Sequence, residues 1–275
     1  IKMASILQIT GNNLVSSASN NKYRVNFPFP FTSYNNEVAL QSLFIYYSWR
    51  NITSTYGNNT VSYIFNGTTR NLTLPDGFYS INDISAYIQL QMYNNGEFCL
   101  DQNNNPYYYL SIQSNTTYYA ATLTCRPITL PSGGSNPNGI TLSGTSPQLV
   151  VNNSAFGTLI GFTNASYPTS PSATVYQINS NQTAQISPTT SININTNCVN
   201  NSKINYINPQ TVYSFSPVVG YSSQIIIQPS ELLFYKVLDQ TYSSIEISFT
   251  DQQSRDLAIL DTNLVLNLIL RPIKA

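Results

Sequence analysis

Residues 264–270, LVLNLIL, decide the fold class of this chain. Their four leucines occupy every second position, and Val265, Asn267 and Ile269 lie between them. Because successive side chains of a β-strand point to opposite faces, this spacing places the leucines on one face of a strand. Arg271 and Pro272 end the run. The stretch therefore predicts a strand whose leucine face packs into an apolar core.

The same alternation of apolar and polar residues recurs in other parts of the sequence. In residues 244–250 the apolar side chains alternate with polar ones, as in an antiparallel strand with one solvated face. Residues 23–31 alternate in the same way but contain Pro28 and Pro30, which cannot donate to a ladder, so we expect this strand at a sheet edge. Residues 38–49 are apolar on both faces, which predicts a buried strand.

Shorter strands fill much of the remaining chain. Asn66-Gly67 separates two alternating runs, residues 61–65 and 72–74, and this dipeptide favours the positive φ values of a tight hairpin turn. Further strands are predicted at residues 107–113, 118–125, 148–151, 211–215 and 224–228. Many short strands separated by turn residues indicate a sandwich or a barrel. We therefore predict an all-β fold.

One helix interrupts the β pattern. Ser80 and Asp83 form a capping box, and an apolar stripe follows at helical spacing until the Asn94-Asn95-Gly96 stop. The stripe comprises Ile81, Ile84, Ile88 and Met92. We predict a helix over residues 81–93 that packs over the edge or end of a sheet.

Composition limits the functional classes. Of 275 residues, 41% are hydrophobic and only 8% are charged, and the formal net charge is zero. This balance gives no basic surface for nucleic acid, so we expect no direct nucleic-acid binding. No apolar run reaches the roughly 18 residues of a membrane span, and residues 1–10 do not resemble a signal peptide.

Cysteine usage and glycosylation triplets indicate different cellular compartments. Cys99, Cys125 and Cys198 are odd in number and form no C-x-x-C pair, which favours a reducing compartment over a disulfide framework. Nine N-x-S/T triplets would instead suit a secreted glycoprotein, although such triplets arise by chance in a chain rich in these residues. They begin at Asn51, Asn58, Asn66, Asn71, Asn115, Asn152, Asn164, Asn181 and Asn200.

Residues 127–202 contain no charged residue and are rich in Pro, Gly, Ser, Asn and Thr. Such a stretch is typical of loops, and it also suits a surface that is buried against a neighbouring subunit. We expect a single domain over residues 1–275, with a possible charge-free loop insertion or small subdomain at residues 127–202.

The residues needed for most catalysis are missing. The chain has no histidine, which removes the usual general base and the commonest metal ligand. A glycosidase would need only two carboxylates, and this is the enzymatic class that stays open. Asp251, Asp256 and Asp261 could bind calcium, but they lack the concentrated spacing of such sites and read as turn residues. The sequence offers no catalytic, cofactor-binding or metal-binding candidate residue, and no cofactor is expected.

Aromatic residues cluster at four places: residues 27–31, 46–49, 107–109 and 118–119. Aromatic rings can stack on sugars or on nucleic-acid bases, but the nucleic-acid use is weak without basic neighbours. Packing in a core or an interface is the simpler interpretation.

Four phrases resemble the single jelly-roll penton, or minor capsid, proteins of virophages and polinton-like viruses. They are VALQSLFIYYSWRNIT at 38–53, LPDGFYSINDISAYIQ at 74–89, FGTLIGFTNASYP at 156–168 and NLVLNLILRP at 263–272. The resemblance implies a single jelly-roll sandwich of two antiparallel sheets with one short helix and long loops. It further implies a non-enzymatic homopentamer at the vertices of an icosahedral double-stranded DNA virus, beside a double jelly-roll major capsid protein. The protein would be assembled in the host cell and located in the virion.

Two other classes remain open. A jelly-roll lectin or receptor-binding surface protein would use the glycosylation triplets and the tyrosine clusters. A major capsid or fibre subunit is the second alternative, although 275 residues are few for a double jelly roll.

Overall fold

The computed structural model describes residues 4–15, 22–200 and 210–273. Its contacts divide the chain into two compact units. Unit 1 comprises Ile1–Trp49 and Thr189–Ala275, and unit 2 comprises Arg50–Pro188. Unit 2 is therefore inserted between two segments of unit 1. The helices and strands are numbered below in chain order.

The described residues of unit 1 form nine strands and a short 3-10 helix at Gly11–Asn13. The strands are β1 (Ser5–Thr10), β2 (Lys22–Thr32), β3 (Asn36–Tyr46), β13 (Ile192–Thr196), β14 (Thr211–Phe215), β15 (Gln224–Ile227), β16 (Tyr235–Lys236), β17 (Thr241–Asp251) and β18 (Val265–Pro272). One sheet, which we call sheet A, has the order β1-β18-β3-β15, with β16 also paired to β3. The other, sheet B, has the order β14-β13-β17-β2.

The strand order of unit 1 is that of a jelly roll. Leaving out the two-residue β16, the first strand of this unit pairs with the eighth, the second with the seventh, the third with the sixth and the fourth with the fifth. A long hairpin that is rolled into two four-stranded sheets produces this set of pairs. All these pairs are antiparallel. The predicted jelly-roll sandwich of two antiparallel sheets is confirmed.

The leucine face predicted from residues 264–270 lies in the core of unit 1. Leu264, Leu266 and Leu268 are fully buried, and Leu266 lies opposite Ile9 on β1 and Leu43 on β3. Sheet B contributes Ile245, Ile247 and Phe249, which are also buried. Burying one such side chain stabilises the fold by roughly 1.5–3 kcal/mol, so these residues hold unit 1 together.

The prolines of β2 lie where the sequence predicts them. Strand β2 is the edge of sheet B. Tyr242 of β17 lies opposite Phe31, whereas Ser244 lies opposite Asn26, so the two strands fall out of register between these pairs. Pro28 and Pro30 lie in this irregular part of β2, where a missing N–H donor costs least.

Unit 2 contains nine strands, two α-helices and a 3-10 helix at Ser54–Tyr56. The strands are β4 (Thr60–Phe65), β5 (Thr68–Thr73), β6 (Cys99–Leu100), β7 (Pro106–Tyr107), β8 (Leu110–Asn115), β9 (Ala120–Cys125), β10 (Gln148–Val151), β11 (Ala165–Tyr167) and β12 (Tyr176–Asn179). The helices are α1 (Ile81–Asn94) and α2 (Ser154–Ile160). The strands form sheets β11-β10-β4-β5, β12-β9-β8 and β6-β7.

The predicted hairpin and helix are both present in unit 2. Asn66 and Gly67 join β4 to β5 with φ values of 48° and 79°. Helix α1 begins with the predicted capping box between Ser80 and Asp83, and its apolar stripe is fully buried. The hairpin and the helix stripe both line the apolar core of this unit.

Helix α1 covers the free edge of β8. The amide N–H of Ile112 donates to Ser85 Oγ at 2.9 Å, and Gln89 Nε2 donates to the carbonyl of Leu110 at 3.2 Å. These bonds occupy edge groups that would otherwise be open to pairing with another strand. The predicted location of the helix over a sheet edge is confirmed.

A second helix, α2, was not expected from the sequence. It has only seven residues, too few for a clear apolar periodicity. Its ends are nevertheless well defined, because Asn153 Oδ1 accepts from the N–H groups of Ala155 and Phe156. Gly161 ends it with φ of 76°, a conformation that favours glycine.

The expected domain organisation stays a prediction. It assigned one jelly roll to residues 1–275 and a possible insertion to residues 127–202, whereas the contacts group residues 50–188 as unit 2. The charge-free segment crosses this boundary, because its β13 belongs to sheet B of unit 1. Within unit 2 it contributes α2 and strands β10 to β12, so it is more ordered than a loop.

Candidate functional site

Most carboxylates of the chain are occupied by structural contacts. Six of them form ion pairs with basic side chains within the described residues. The pairs are Arg24–Glu246, Arg50–Asp76, Arg70–Glu97, Lys236–Asp239, Arg255–Asp251 and Arg271–Glu37. A glycosidase needs two carboxyl groups free to act as acid and base or nucleophile, and these six are committed elsewhere.

Three further carboxylates accept hydrogen bonds from the backbone. Asp83 caps α1, and the bonds from Ser80 lower the pKa of its carboxyl group. Asp101 accepts from the N–H groups of Asn103 and Asn105 in a tight turn. Asp261 accepts from Tyr46 N at 2.8 Å and from Asn263 N at 2.7 Å. The bonds to Asp83 and Asp101 and that from Asn263 to Asp261 fix a helix end or a local turn, and the bond from Tyr46 ties Asp261 to the end of β3, so these groups have a structural role.

The three aspartates considered for calcium do not form a common site. Asp251 is fully buried and accepts from the backbone of Gln253 and Arg255 as well as from Arg255 Nε. Asp261 serves a different turn. Over residues 4–15, 22–200 and 210–273, no group of three or more Cys, Asp or Glu side chains is arranged to hold a metal ion. Asp251 and Asp261 act as the turn residues that the sequence indicates.

The three cysteines are buried and form no disulfide. Burial raises the pKa of the Cys125 thiol to about 12 and also raises that of Cys198. Because the thiolate is the reactive form, a raised pKa leaves these groups inert near neutral pH.

An apolar groove opens in unit 1 between the edge strands of its two sheets. It has a volume of about 280 Å³, and both β1 of sheet A and β2 of sheet B contribute to it. The apolar side chains that line it are Ile6, Leu7, Phe27, Phe31, Ile245 and Leu270. The alternation pattern predicts the strands that carry these residues, but it does not predict that residues from opposite ends of the chain meet here.

Exposed apolar side chains adjoin the groove. Ile6 is 62% exposed, and Phe29, on the irregular part of β2, is 84% exposed. The outer edge of β1 also has no pairing strand among the described residues. An open edge beside exposed apolar groups is a surface that proteins normally cover.

The charge at the rim of the groove is neutralised within the chain. Arg271 donates from Nε to Glu37 Oε1 at 2.6 Å, and its guanidinium carbon lies 3.4 Å from the centre of the Phe234 ring. The ring and the carboxylate hold this cation in place. Arg271 is thus paired within the chain, and the other described residues that line the groove are uncharged.

The aromatic clusters divide into buried and exposed groups. Tyr47 and Trp49 are buried and stack with ring centres 4.1 Å apart, and Tyr109 is fully buried in unit 2. These rings pack in the apolar core, which is one of the two packing roles expected from the sequence. Tyr118 and Tyr119, at 69% and 77% exposure, remain open to solvent.

Two of the nine glycosylation triplets are closed to modification in this fold. Asn51 and Asn58 are 2% and 4% exposed. The amide of Asn51 donates to the carbonyls of Tyr79 and Ile186, and that of Asn58 donates to the carbonyl of Asn51. A glycan on either nitrogen would break these bonds, so these two triplets are not available for glycosylation in the folded chain.

No helix in the described part of the chain has the length and apolar content for a membrane crossing. No protein-family model matches the sequence, and no curated protein sequence is significantly similar to it. The structure is similar to that of the mavirus penton protein, with a TM-score of 0.49 and 9% identity over 98% of both chains. It is also similar to a chain in the structure of the Sputnik virophage, with a TM-score of 0.39 and 12% identity over 98% of both chains.

The assignment of the jelly roll itself rests on the pairing of strands in unit 1, which is independent of any comparison.

Proposed function

We propose that this chain is a structural capsid protein, the pentameric vertex subunit of an icosahedral double-stranded DNA virus. Five copies form a ring in the virion beside a double jelly-roll major capsid protein, after assembly in the host cell. The apolar groove between β1 and β2 is the observation that carries the proposal. A second copy of the chain covers this groove and the open edge of β1.

Two properties support this proposal over an enzymatic function. Jelly rolls occur in viral capsid proteins and in lectins, whose functions are assembly and binding. Nine of the eleven carboxylates have structural partners, which leaves Glu231 and Asp256, and the chain has no histidine, so few groups remain for acid and base catalysis. A screen against glycan and ester substrates is expected to show no turnover above background. Turnover that disappears in a single Asp or Glu variant would restore the enzymatic interpretation.

The experiment that tests assembly is the mass of the purified protein by light scattering on a sizing column. We expect five times the 30.5 kDa of one chain. Ile6→Asp places a charge in the proposed contact and is expected to give single chains. Because Ile6 is 62% exposed, this change costs the isolated fold no more than about 0.5 kcal/mol.

Leu130→Asp is the matched control, since Leu130 is 48% exposed and lies outside the groove. It is expected to keep the five-chain mass. A mass of one or three chains for the unchanged protein would overturn the pentamer. A five-chain mass that survives Ile6→Asp would show that the contact is made elsewhere.

A further inference from the structure

The sheet β12-β9-β8 of unit 2 has one apolar and one polar face. Ile112, Leu123 and Cys125 point into the core and are fully buried. The other face carries only small polar side chains and one alanine. These are Ser111, Gln113, Asn115, Ala120, Thr122, Thr124, Gln177 and Asn179. No Asp, Glu, Lys or Arg occurs in the three strands, so this face is polar but uncharged.

A shallow depression lies on this polar face. It is lined by Asn115, Thr122, Gln177, Ile178 and Asn179 and has a volume of about 340 Å³. That size falls at the lower end of the range for small-molecule sites. Amide and hydroxyl groups therefore surround a space that one small ligand could occupy.

Three of the lining side chains hold one another in position. Thr122 Oγ donates to Asn179 Oδ1 at 2.7 Å, and Asn115 Nδ2 donates to Thr122 Oγ at 3.1 Å and to Asn179 Oδ1 at 3.3 Å. Within the described residues, Asn115 Oδ1, Asn179 Nδ2 and the Gln177 amide have no hydrogen-bond partner. A ligand would thus meet ordered groups that still have donors and acceptors to offer.

Two exposed tyrosines follow β8 in the chain. Tyr118 and Tyr119 lie in the turn between β8 and β9, three and four residues after Asn115, and are 69% and 77% exposed. Tyrosine has an apolar ring face and a polar tip, and it contributes to binding surfaces at low cost in conformational entropy. Both rings are therefore open to a ligand at this end of the sheet.

We propose that this face of unit 2 binds a neutral saccharide. Sugar hydroxyls both donate and accept hydrogen bonds, which matches the amides of Asn115, Gln177 and Asn179. The C–H faces of a sugar ring pack on aromatic rings such as Tyr118. The three strands carry no charged group of their own for an ion pair with sulfate, sialic acid or a phosphate backbone, and the exposed Arg126 lies just beyond the end of β9. The site belongs to unit 2 and does not rest on the assembly proposed above.

The test is surface plasmon resonance on the immobilised full-length chain. The neutral probes are maltotriose, cellotriose, chitotriose and mannotriose, and the anionic probes are sialyllactose and a heparin hexasaccharide. We expect saturable binding of at least one neutral probe with a dissociation constant of about 1 mM or lower. Gln177→Ala should weaken this binding about tenfold, because it removes an amide that bonds the ligand and no other group.

Two further variants separate binding from folding. Gln185→Ala is the matched control, since Gln185 is an exposed glutamine of unit 2 that does not line the depression. It is expected to leave affinity unchanged, whereas Thr122→Val should reduce it as Gln177→Ala does. The proposal is overturned if no neutral probe saturates, if an anionic probe binds more tightly, or if Gln185→Ala loses as much affinity as Gln177→Ala.

Discussion

Arg70 and Glu97 form a two-pronged ion pair in unit 2. Arg70 donates from Nε to Glu97 Oε1 at 2.8 Å, and its Nη2 also lies 2.8 Å from this oxygen. The second oxygen, Oε2, accepts from the buried hydroxyl of Tyr63 at 2.6 Å, and Asn95 Nδ2 donates to that hydroxyl at 3.1 Å. Glu97 is 5% exposed, so its charge depends on these partners for the solvation that it has lost.

Replacing Glu97 by Gln should therefore destabilise the protein. The change keeps the size of the side chain but removes the charge that Arg70 and Tyr63 bind, and hydrogen bonds to charged groups contribute about 1.5–3 kcal/mol. We expect the free energy of unfolding in urea to fall by about 2 kcal/mol. Glu231→Gln makes the same chemical change at an exposed site and should leave stability unchanged. Equal stability of the two variants would show that the network contributes nothing.

A charge within the leucine face should disrupt unit 1. Leu266 is fully buried between Ile9 and Leu43. Leu266→Asp would bury a carboxylate without a partner, and we expect a loss of several kcal/mol in unfolding free energy, visible as poor solubility or a lower melting temperature. Leu260→Asp is the control, because Leu260 is 38% exposed. An unchanged melting temperature for Leu266→Asp would mean that the register of β18 is wrong.

Stability should fall at alkaline pH. Burial, with a smaller contribution from the charge of Asp261, raises the pKa of Tyr23 to about 12, and burial raises the pKa of Cys125 to about 12. The unfolded chain therefore releases these protons at a lower pH than the folded chain does. The stabilisation is complete below about pH 9 and is lost progressively as the pH rises toward about 12.

Urea unfolding at several pH values between 8 and 12 measures the slope of the unfolding free energy against pH. Tyr23→Phe should flatten it, because the variant lacks the hydroxyl whose ionisation the fold opposes. Tyr34→Phe changes an exposed tyrosine in the same way and should keep the slope of the unchanged protein. Identical slopes for all three proteins would contradict the assignment to Tyr23.

The proposed pentamer should tolerate salt. The six ion pairs of the described residues lie within one chain, so they leave few charges for contacts between chains. Salt at about 1 M screens exposed charges within about 3 Å, whereas apolar contacts and amide hydrogen bonds are not screened in this way. We expect the same mass by light scattering at low and at molar sodium chloride. Dissociation that occurs only at high salt would show that charged residues make the contacts between chains.

Local patterns in the sequence predict local structure well in this chain. The alternation around Leu266, the Asn66-Gly67 turn and the capping box at Ser80 each depend on neighbours within a few residues, and all three are present. Pro28 and Pro30 also identify an edge strand, because a missing N–H donor excludes a central position.

Features that depend on distant parts of the chain could not be predicted in the same way. Periodicity does not specify that β1 pairs with β18, so the meeting of Ile6 with Leu270 in the groove has no local signal. The boundary of unit 2 at Arg50 and Pro188 likewise has no marked change in composition. The proposed saccharide-binding face has no signal in the sequence either, because Asn115, Gln177 and Asn179 read individually as ordinary surface residues.

The insertion of unit 2 between β3 and β13 has a consequence for folding during synthesis. Strands β1 to β3 leave the ribosome before unit 2, whereas their partners β15, β17 and β18 follow only after all of unit 2. Unit 2 is continuous in sequence and can fold as soon as it emerges, whereas β1 to β3 must wait with their apolar faces uncovered. These three strands are therefore exposed to aggregation throughout the synthesis of unit 2, and a chaperone that binds them would raise the yield of folded protein.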